Sequence, residues 1–178
     1  MRKDWKELAK RLKEKKVKVG LVTNGWRVDE SVVKDFKEIE MNMVGVSFDG
    51  TEKTHDMIRR TKGSYKKAYQ ALKMIKESGQ KVCALTQVSR LNLEELDLIY
   101  QDLLDIGIPL WRVQMTTSTG RMCEMRDGTM TPEDMPELAH KIIEIRDEKK
   151  IEIDVGENIG YYGELGDDLW RGYPYLGC

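Results

Sequence analysis

Four times along this chain a short apolar segment is followed by a longer amphipathic one, at a period of roughly thirty residues, and this alternation limits the folds that the chain can adopt. The predicted strands are Val17–Val22, Met43–Phe48, Val82–Val88 and Trp111–Met115, with one more short strand at Ile151–Val155. Such alternation favours right-handed βαβ units and a parallel sheet. Four or five strands are too few to close an eight-stranded barrel. The predicted fold is therefore α/β, an open or partial barrel with helices on one side of the sheet.

Capping residues and apolar stripes predict where the helices begin and end. Helices are predicted over Asp4–Lys15 and Asp29–Glu40, from Ser64 to Gly79, from Asn92 to Gly107, and from Thr131, which precedes Pro132. Asn92 is predicted to be an N-cap, with Glu95 completing a capping box. Residues 50–63 are predicted to form a loop, and residues from 156 onward a loop or linker. Because the first predicted element is a helix, further β-units are expected before it.

Polar side chains lie at the ends of the first four predicted strands. They are Thr23 and Asn24, then Ser47 and Asp49, then Gln87, and finally Gln114. Each has an ordinary explanation, since Thr23 and Asn24 could simply turn the chain and Ser47 could cap the following loop. Glutamine side chains in apolar strands, however, require hydrogen-bond partners. Since ligands bind at the carboxyl ends of parallel strands, the four ends together predict a ligand site.

Composition and motifs exclude several classes of function. A net charge of −1 gives no reason to expect a nucleic acid or an anionic membrane partner. The sequence has no membrane-length apolar run and no signal-like N-terminus, so a cytoplasmic protein with reduced thiols is expected. It contains no HExxH, GxSxG or Walker motif. The three cysteines, Cys83, Cys123 and Cys178, have no cluster-binding spacing, and His55 is expected to be structural.

The order of several short motifs resembles the radical S-adenosylmethionine (SAM) enzymes. The motifs are Thr23-Asn24-Gly25, Val46-Ser47-Phe48-Asp49-Gly50, His55-Asp56-x-Ile58-Arg59, Lys62-Gly63-Ser64-Tyr65, Leu91-Asn92-Leu93-Glu94-Glu95-Leu96 and Thr119-Gly120-Arg121. Within that superfamily the chain is similar to the branch with a SPASM or twitch extension, which includes peptide-modifying maturases and proteins of PQQ and molybdenum cofactor synthesis. The resemblance extends over essentially the whole chain.

This resemblance implies a partial (β/α)6 barrel to which the chain contributes the third to sixth strands. Residues 1–155 would form this part of the barrel, and residues 156–178 would be a linker to a SPASM or twitch domain. The family's CxxxCxxC motif, which holds a 4Fe-4S cluster, and its GGE motif, which holds SAM, are both absent from the sequence. The resemblance therefore implies a fragment of such an enzyme, or a truncated open reading frame that begins at an internal Met1, and in either case a chain that is inactive alone.

Several strand-end residues match family positions that contact SAM. Ser47 matches a serine that binds a ribose hydroxyl, and Gln87 lies at a position near the cofactor. Thr23 and Asn24 match a motif beside cofactor and substrate. Met115 matches a position whose backbone meets the adenine.

Other positions are expected on the substrate side or at a second cluster. Asp49, Arg59 and Gln114 are assigned structural or substrate-side roles. Cys178 follows Gly177 after the predicted linker, as does an auxiliary-cluster ligand in SPASM-type enzymes. The resemblance thus implies an auxiliary iron-sulfur cluster in the parent protein, which this chain cannot hold alone.

The implied activity is radical chemistry on a substrate that we expect to be a peptide. A reduced 4Fe-4S cluster donates an electron to SAM, and the resulting 5′-deoxyadenosyl radical abstracts hydrogen from the substrate. Two alternatives remain at this point. One is a non-catalytic α/β module that binds a nucleoside or peptide. The other is an unrelated partial-barrel lyase, although no predicted strand ends in the lysine that a Schiff base would need.

Overall fold

The computed structural model describes residues 4–117, 124, 128–156, 159–160 and 163–170. Its strands are β1 (Gly20–Thr23), β2 (Met43–Ser47), β3 (Val82–Val88), β4 (Leu110–Met115) and β5 (Glu152–Val155). Its α-helices are α1 (Trp5–Glu14), α2 (Glu30–Glu38), α3 (Glu52–Arg59), α4 (Ser64–Glu77), α5 (Leu96–Ile106), α6 (Met135–Asp147) and α7 (Gly166–Trp170). Short 3-10 turns precede the last three helices, at Leu93–Glu95, Pro132–Asp134 and Gly163–Leu165.

The strands form one sheet in the order β1-β2-β3-β4-β5, and every neighbouring pair is parallel. Successive strands are therefore neighbours, as they are in a segment of a (β/α) barrel. This confirms the predicted fold class. All carboxyl ends of the strands lie at one edge of the sheet, where the polar residues of the sequence analysis meet.

The two faces of the sheet differ in burial. One face carries Val44, Val46 and Phe48, which are fully buried, and Phe48 contacts the rings of Tyr65 and Tyr69 on α4. We call the opposite face the open face. Alternation and register place on it a set of residues that no helix covers in this way: Val22, Gly45, Ser47, Leu85, Gln87, Arg112, Gln114 and Asp154.

Polar groups inside the helix-facing core are hydrogen-bonded to one another. The hydroxyl of Thr86 on β3 donates to the carbonyl of Phe48 at 2.6 Å and accepts from the indole nitrogen of Trp111 at 2.8 Å. Trp111 also stacks on Tyr100 of α5. These contacts join β2, β3 and β4 close to the strand ends that carry the predicted site, so a hydrogen-bonded and well-packed core supports those ends.

The structure differs from the sequence-based prediction in several segments. The predicted loop 50–63 contains the helix α3. This helix could not be predicted from an apolar stripe, since only Met57 and Ile58 are apolar among its eight residues. The first strand begins at Gly20 rather than at Val17. Within the predicted linker, α7 packs on the fold, since Leu169 is 1% exposed.

Candidate functional site at the carboxyl edge of the sheet

Ser47 is the last residue of β2 and lies on the open face, half-buried. Gly45 precedes it on the same face, and a Cβ atom there would lie 2.4 Å from Cδ1 of Leu85. Glycine at this position lets Leu85 fold across the strand. Ser47 therefore follows a segment covered by the apolar side chain of Leu85 and lies at the carboxyl end of the strand, where parallel sheets bind ligands.

Gln87 and Gln114 continue this polar row across the sheet. They are register partners on β3 and β4, and the side-chain amide of Gln87 donates to the side-chain oxygen of Gln114 at 3.0 Å. Gln87 is exposed and Gln114 is half-buried. The structure thus brings together three of the predicted residues, Ser47, Gln87 and Gln114, on adjacent strands of the open face. One donor and one acceptor of the two amides satisfy each other, which leaves the remaining amide groups for a ligand.

Asp49 joins three elements at the end of β2. Its side chain is 1% exposed and forms an ion pair with Arg59 at the end of α3. The other carboxylate oxygen accepts from the backbone nitrogen of Gln87 at 3.0 Å. The carboxylate therefore holds the ends of β2 and β3 and the helix α3 in one arrangement. Its predicted substrate-side role remains a prediction.

His55 on α3 is buried and has a defined tautomer. Its Nδ1 accepts a hydrogen bond from the backbone nitrogen of Asp49 at 2.9 Å, so the neutral ring carries its proton on Nε2. Burial lowers the pKa of His55, and this effect together with the positive charge of Arg59 outweighs the opposing influence of Asp49 and Asp56. His55 is therefore neutral, and its Nδ1 has the structural role that the sequence indicated.

Asn92 and Glu95 also hold the site, although the sequence analysis assigned them only to a capping box. Asn92 is fully buried, and its side-chain amide donates to the carbonyls of Asp49 at 2.8 Å and Gln87 at 3.0 Å. Asn92 makes no capping hydrogen bond to its own helix, so that prediction was wrong.

Glu95 acts at the beginning of α3 rather than at its own helix. Its carboxylate accepts from the backbone nitrogen of Thr51 at 2.8 Å and from the hydroxyl of Thr54 at 2.5 Å. A carboxylate is favoured at a helix N-terminus by the helix dipole. An asparagine three residues before a glutamate fits a capping box equally well, so no local signal could have revealed these longer-range roles.

Thr23 and Asn24 make the local contacts that a turn requires. The hydroxyl of Thr23 accepts from the backbone nitrogen of Gly25 at 3.2 Å, and the side-chain oxygen of Asn24 accepts from that of Trp26 at 3.1 Å. Gly25 has a φ of +77°, and a Cβ atom there would lie 2.9 Å from Cα of Ala68, so the turn needs glycine. Thr23 lies on the helix-facing side in register with Val46. Its role beside the cofactor remains a prediction.

Met115 ends β4 in register with Val88, on the helix-facing side, and is half-buried. This orientation leaves its backbone at the sheet edge, which is the part of the residue predicted to meet the adenine. The contact itself remains a prediction.

Cys83, the one cysteine among the described residues, does not suit a 4Fe-4S cluster. Cys83 is buried in β3, and burial raises the pKa of its thiol to about 11, which disfavours the thiolate that iron requires. Cys123 and Cys178 lie outside the described residues. Over the ranges that the structure describes, no group of three or more His, Cys, Asp or Glu side chains could hold a metal ion.

Comparison with known proteins identifies the family. The family model described as the Radical SAM superfamily matches residues 1–103. The chain belongs to the radical SAM superfamily. Its fold as a partial radical SAM barrel follows, and the alternative of an unrelated partial-barrel lyase is excluded.

Two relatives of this radical SAM chain illustrate the range of related activities. Fe-coproporphyrin III synthase of Methanosarcina barkeri is 31% identical over 144 residues, covering 81% of this chain and 36% of the relative. The sporulation killing factor maturation protein SkfB of Bacillus subtilis is 27% identical over 124 residues, covering 68% of this chain and 30% of the relative. The chain thus spans about a third of the length of these curated relatives.

Solved structures show the same fold at lower sequence identity. SuiB of Streptococcus suis bound to SAM superposes with a TM-score of 0.71 at 14% identity, covering 98% of this radical SAM chain and 37% of SuiB. A domain of pyruvate-formate lyase-activating enzyme from Bacteroides vulgatus gives a TM-score of 0.66 at 8% identity, covering 85% of this chain and 88% of that domain. In the described part of the chain, no helix has the length and apolar character needed to cross a membrane.

Proposed function

We propose that this chain forms the wall of a radical SAM enzyme that holds the nucleoside part of SAM and faces the substrate. The observation that carries this proposal is the row of Ser47, Gln87 and Gln114 on the open face. The resemblance to radical SAM enzymes implies that the cofactor lies against that face, at the carboxyl ends of the strands, where parallel sheets bind ligands. Hydroxyl and amide groups provide the donors and acceptors that ribose and adenine require.

The proposed contacts follow from where each group lies. The hydroxyl of Ser47 binds a ribose hydroxyl, and the amides of Gln87 and Gln114 border the nucleoside and the substrate. The backbone of Met115 meets the adenine, and Thr23 and Asn24 approach from the end of β1. Asp49 and Arg59 act on the substrate side mainly by holding these elements in place. SAM supplies the adenosyl group on which the chemistry of the family depends.

The ligands of the 4Fe-4S cluster are proposed to lie outside these 178 residues, since the sequence contains no CxxxCxxC motif. The chain alone is then inactive, and no reaction step is assigned to its own side chains. We place the complete enzyme in the cytoplasm and in the SPASM or twitch branch, with Cys178 as a ligand of an auxiliary cluster. Cys178→Ala in the complete enzyme should lower the iron content partially. An unchanged iron content would contradict the assignment of Cys178.

A peptide is the proposed substrate. SkfB is a maturation protein for the sporulation killing factor, and SuiB has a structure bound to its precursor peptide SuiA. Parts of the open face are accessible to a substrate, since Val22 is 66% exposed and Gln87 is exposed.

A tetrapyrrole is the second candidate substrate. Fe-coproporphyrin III synthase, at 31% identity, is more similar in sequence than SkfB, and an AdoMet-dependent heme synthase of Methanosarcina barkeri is 26% identical over 153 residues. Ultraviolet–visible titration of the complete enzyme with coproporphyrin tests this candidate. A saturable shift of the porphyrin absorption would favour it over a peptide.

Calorimetric titration of the complete enzyme with SAM tests the proposed cofactor site. Ser47→Ala removes about one hydrogen bond, so the binding free energy should weaken by about 1 kcal/mol and the affinity should fall roughly fivefold. Ser31→Ala is the matched control, because that hydroxyl donates only to the nearby carboxylate of Asp29 at the start of α2. Equal SAM affinity of wild type and Ser47→Ala would reject the assignment of Ser47.

A further inference from the structure

A cavity of about 320 Å³ lies at the carboxyl edge of the sheet, between the turn after β1 and the helices α3 and α4. It is lined by Asn24, Trp26, His55, Arg59, Thr61 and Ser64. Part of this lining comes from the turn that the sequence placed next to the substrate. The internal hydrogen bonds of these lining residues leave several of their polar groups available to a ligand.

His55 supplies a buried donor to this cavity. The residue is 1% exposed, and its Nδ1 is occupied by the backbone nitrogen of Asp49. The proton of the neutral ring is therefore on Nε2, the one remaining polar atom of the ring, for which no partner is found within the described ranges. Nε2 is not among the fully enclosed atoms that lack a partner, so a ligand in the cavity can reach this donor.

Asn24 supplies a second donor. Its side-chain oxygen is occupied by the backbone nitrogen of Trp26, so its amide nitrogen is the group left for a ligand. The hydroxyls of Thr61 and Ser64 donate internally, to the carbonyl of Arg59 and the carboxylate of Asp56. The cavity is accordingly rich in donors, which fit an oxygen acceptor on the ligand.

The charged groups next to His55 already have partners. The guanidinium of Arg59 is paired with Asp49. The carboxylate of Asp56 accepts from the backbone nitrogens of Gly63 and Tyr65 and keeps its negative charge nearby. A ligand carboxylate would therefore find Arg59 already paired and would be repelled by Asp56, whereas a neutral carbonyl oxygen avoids this repulsion.

Trp26 supplies a planar apolar wall. Its side chain is 42% exposed at the mouth of the cavity. An exposed indole packs well against a flat amide or an aromatic side chain. Two donors beside an aromatic surface are compatible with a peptide bond, whose carbonyl oxygen accepts hydrogen bonds and whose plane packs on the ring.

We infer that this cavity binds a backbone carbonyl of the substrate peptide, with His55 Nε2–H and the Asn24 amide as donors and Trp26 as the packing surface. The inference rests on the proposed function in that it assumes a peptide substrate. It adds a specific contact for the substrate, at the same edge of the sheet as Ser47, Gln87 and Gln114, which are proposed to hold SAM.

Nuclear magnetic resonance of the full chain labelled with ¹⁵N tests this inference. Trp26→Ala identifies the indole resonance of Trp26 among those of the four tryptophans. The probes are N-acetylglycine N-methylamide, which carries neutral carbonyls, and sodium propionate, which carries a carboxylate. We expect the amide to shift the Trp26 resonance saturably and propionate to bind more weakly. No saturable shift by the amide, or tighter binding of propionate, overturns the inference.

Two variants probe the donors separately. Asn24→Asp keeps the oxygen that accepts from Trp26 and replaces the amide donor. His55→Asn keeps an acceptor close to the position of Nδ1 and removes Nε2–H. Each should weaken binding of the amide probe roughly fivefold. Leu98→Ala, at an exposed apolar position on α5, is the control that should leave it unchanged. Asn24 is exposed, so Asn24→Asp gives a decisive result even where His55→Asn unfolds the chain, and unchanged binding in Asn24→Asp overturns the inference.

Calorimetric titration of the complete enzyme with SAM separates this inference from the proposed function, because the cluster motif and the GGE motif that complete a SAM site are absent from the 178-residue chain. SAM binding without binding of the amide probe overturns the role of the cavity and leaves the cofactor site intact. Binding of the amide probe without SAM binding supports the cavity and contradicts the proposed cofactor site.

Discussion

Arg59 donates from Nε to the carboxylate of Asp49 at 2.6 Å, across ten residues of chain that include the whole of α3. Asp49 is almost fully buried, whereas the side chain of Arg59 is 25% exposed. The pair thus lies where the carboxyl end of β2 meets the rest of the site. The ion pair therefore helps to hold the end of β2, and with it Ser47, in position.

Loss of Arg59 should strongly destabilise the fold. Arg59→Ala leaves a buried carboxylate without its cation, and breaking a buried pair in this way costs about 3–5 kcal/mol. The control is Arg11→Ala, since Arg11 pairs with Glu7 on the exposed side of α1. That pair should contribute about 1 kcal/mol or less. Urea unfolding measures both values, and equal losses for the two variants would contradict the structural role of the Asp49–Arg59 pair.

Loss of Asn92 should affect SAM binding as well as stability. Asn92→Ala leaves the buried carbonyl of Asp49 without its donor, at a cost of about 1–3 kcal/mol, and also removes the hydrogen bond to the partly exposed carbonyl of Gln87. The ends of β2 and β3, which carry Ser47 and Gln87, then lose a side chain that links them. Calorimetry with SAM, at a temperature where the variant remains folded, should show weaker binding.

The control for Asn92 lies at the other end of the same sheet. The side chain of Asn42, just before β2, accepts from the backbone nitrogen of Val19 at 2.8 Å. Asn42→Ala should reduce stability without changing SAM affinity, because it acts at the amino ends of the strands. Equal SAM affinity in both variants would show that Asn92 has no positioning role.

The stability of the fold should fall in mild acid because of His55. Burial holds the pKa of folded His55 below its usual value of 6.5, so the unfolded chain binds a proton first as the pH falls. Stability from this group is complete above about pH 6.5 and is lost below it, at up to about 1.4 kcal/mol per pH unit.

Unfolding free energies of His55→Asn at pH 7.5 and 5.5 check this prediction. The variant should lose most of the difference between the two values, whereas His140→Asn, on the exposed side of α6, should retain it. A pH dependence identical in wild type and His55→Asn would assign the effect to other groups.

The 178-residue chain alone should not assemble an iron-sulfur cluster. Burial raises the pKa of Cys83 to about 11, and Cys123 and Cys178 are the only other cysteines in the sequence. After anaerobic reconstitution we expect substoichiometric iron and sulfide, with no difference between wild type and Cys83→Ser. Stoichiometric iron together with production of 5′-deoxyadenosine would refute this prediction.

Local sequence patterns were sufficient for much of the fold. The strand Val82–Val88 was predicted with the bounds that the structure has, because a short, largely apolar run between turn residues is typical of a buried strand. Thr131 followed by Pro132 was predicted to start a helix, and Thr131 and Asp134 form a capping box there. In both cases the residues that determine the structure are within a few positions of one another.

The structure of the site depended on contacts that no local pattern encodes. The helix α3 has little apolar periodicity, and its start is stabilised by Glu95, 44 positions beyond Thr51 and 41 beyond Thr54. Asn92 was assigned to its own helix and instead binds the carbonyl of Asp49, 43 positions away.

The sequence by itself determined the order of elements, the parallel sheet and the polar residues at its carboxyl edge, since neighbouring side chains decide periodicity and capping. Only the tertiary structure decided which of those residues face the open side and which are used internally. The physical reason is that a buried carboxylate or amide takes whichever partner packing brings within hydrogen-bond distance, and packing depends on the whole chain.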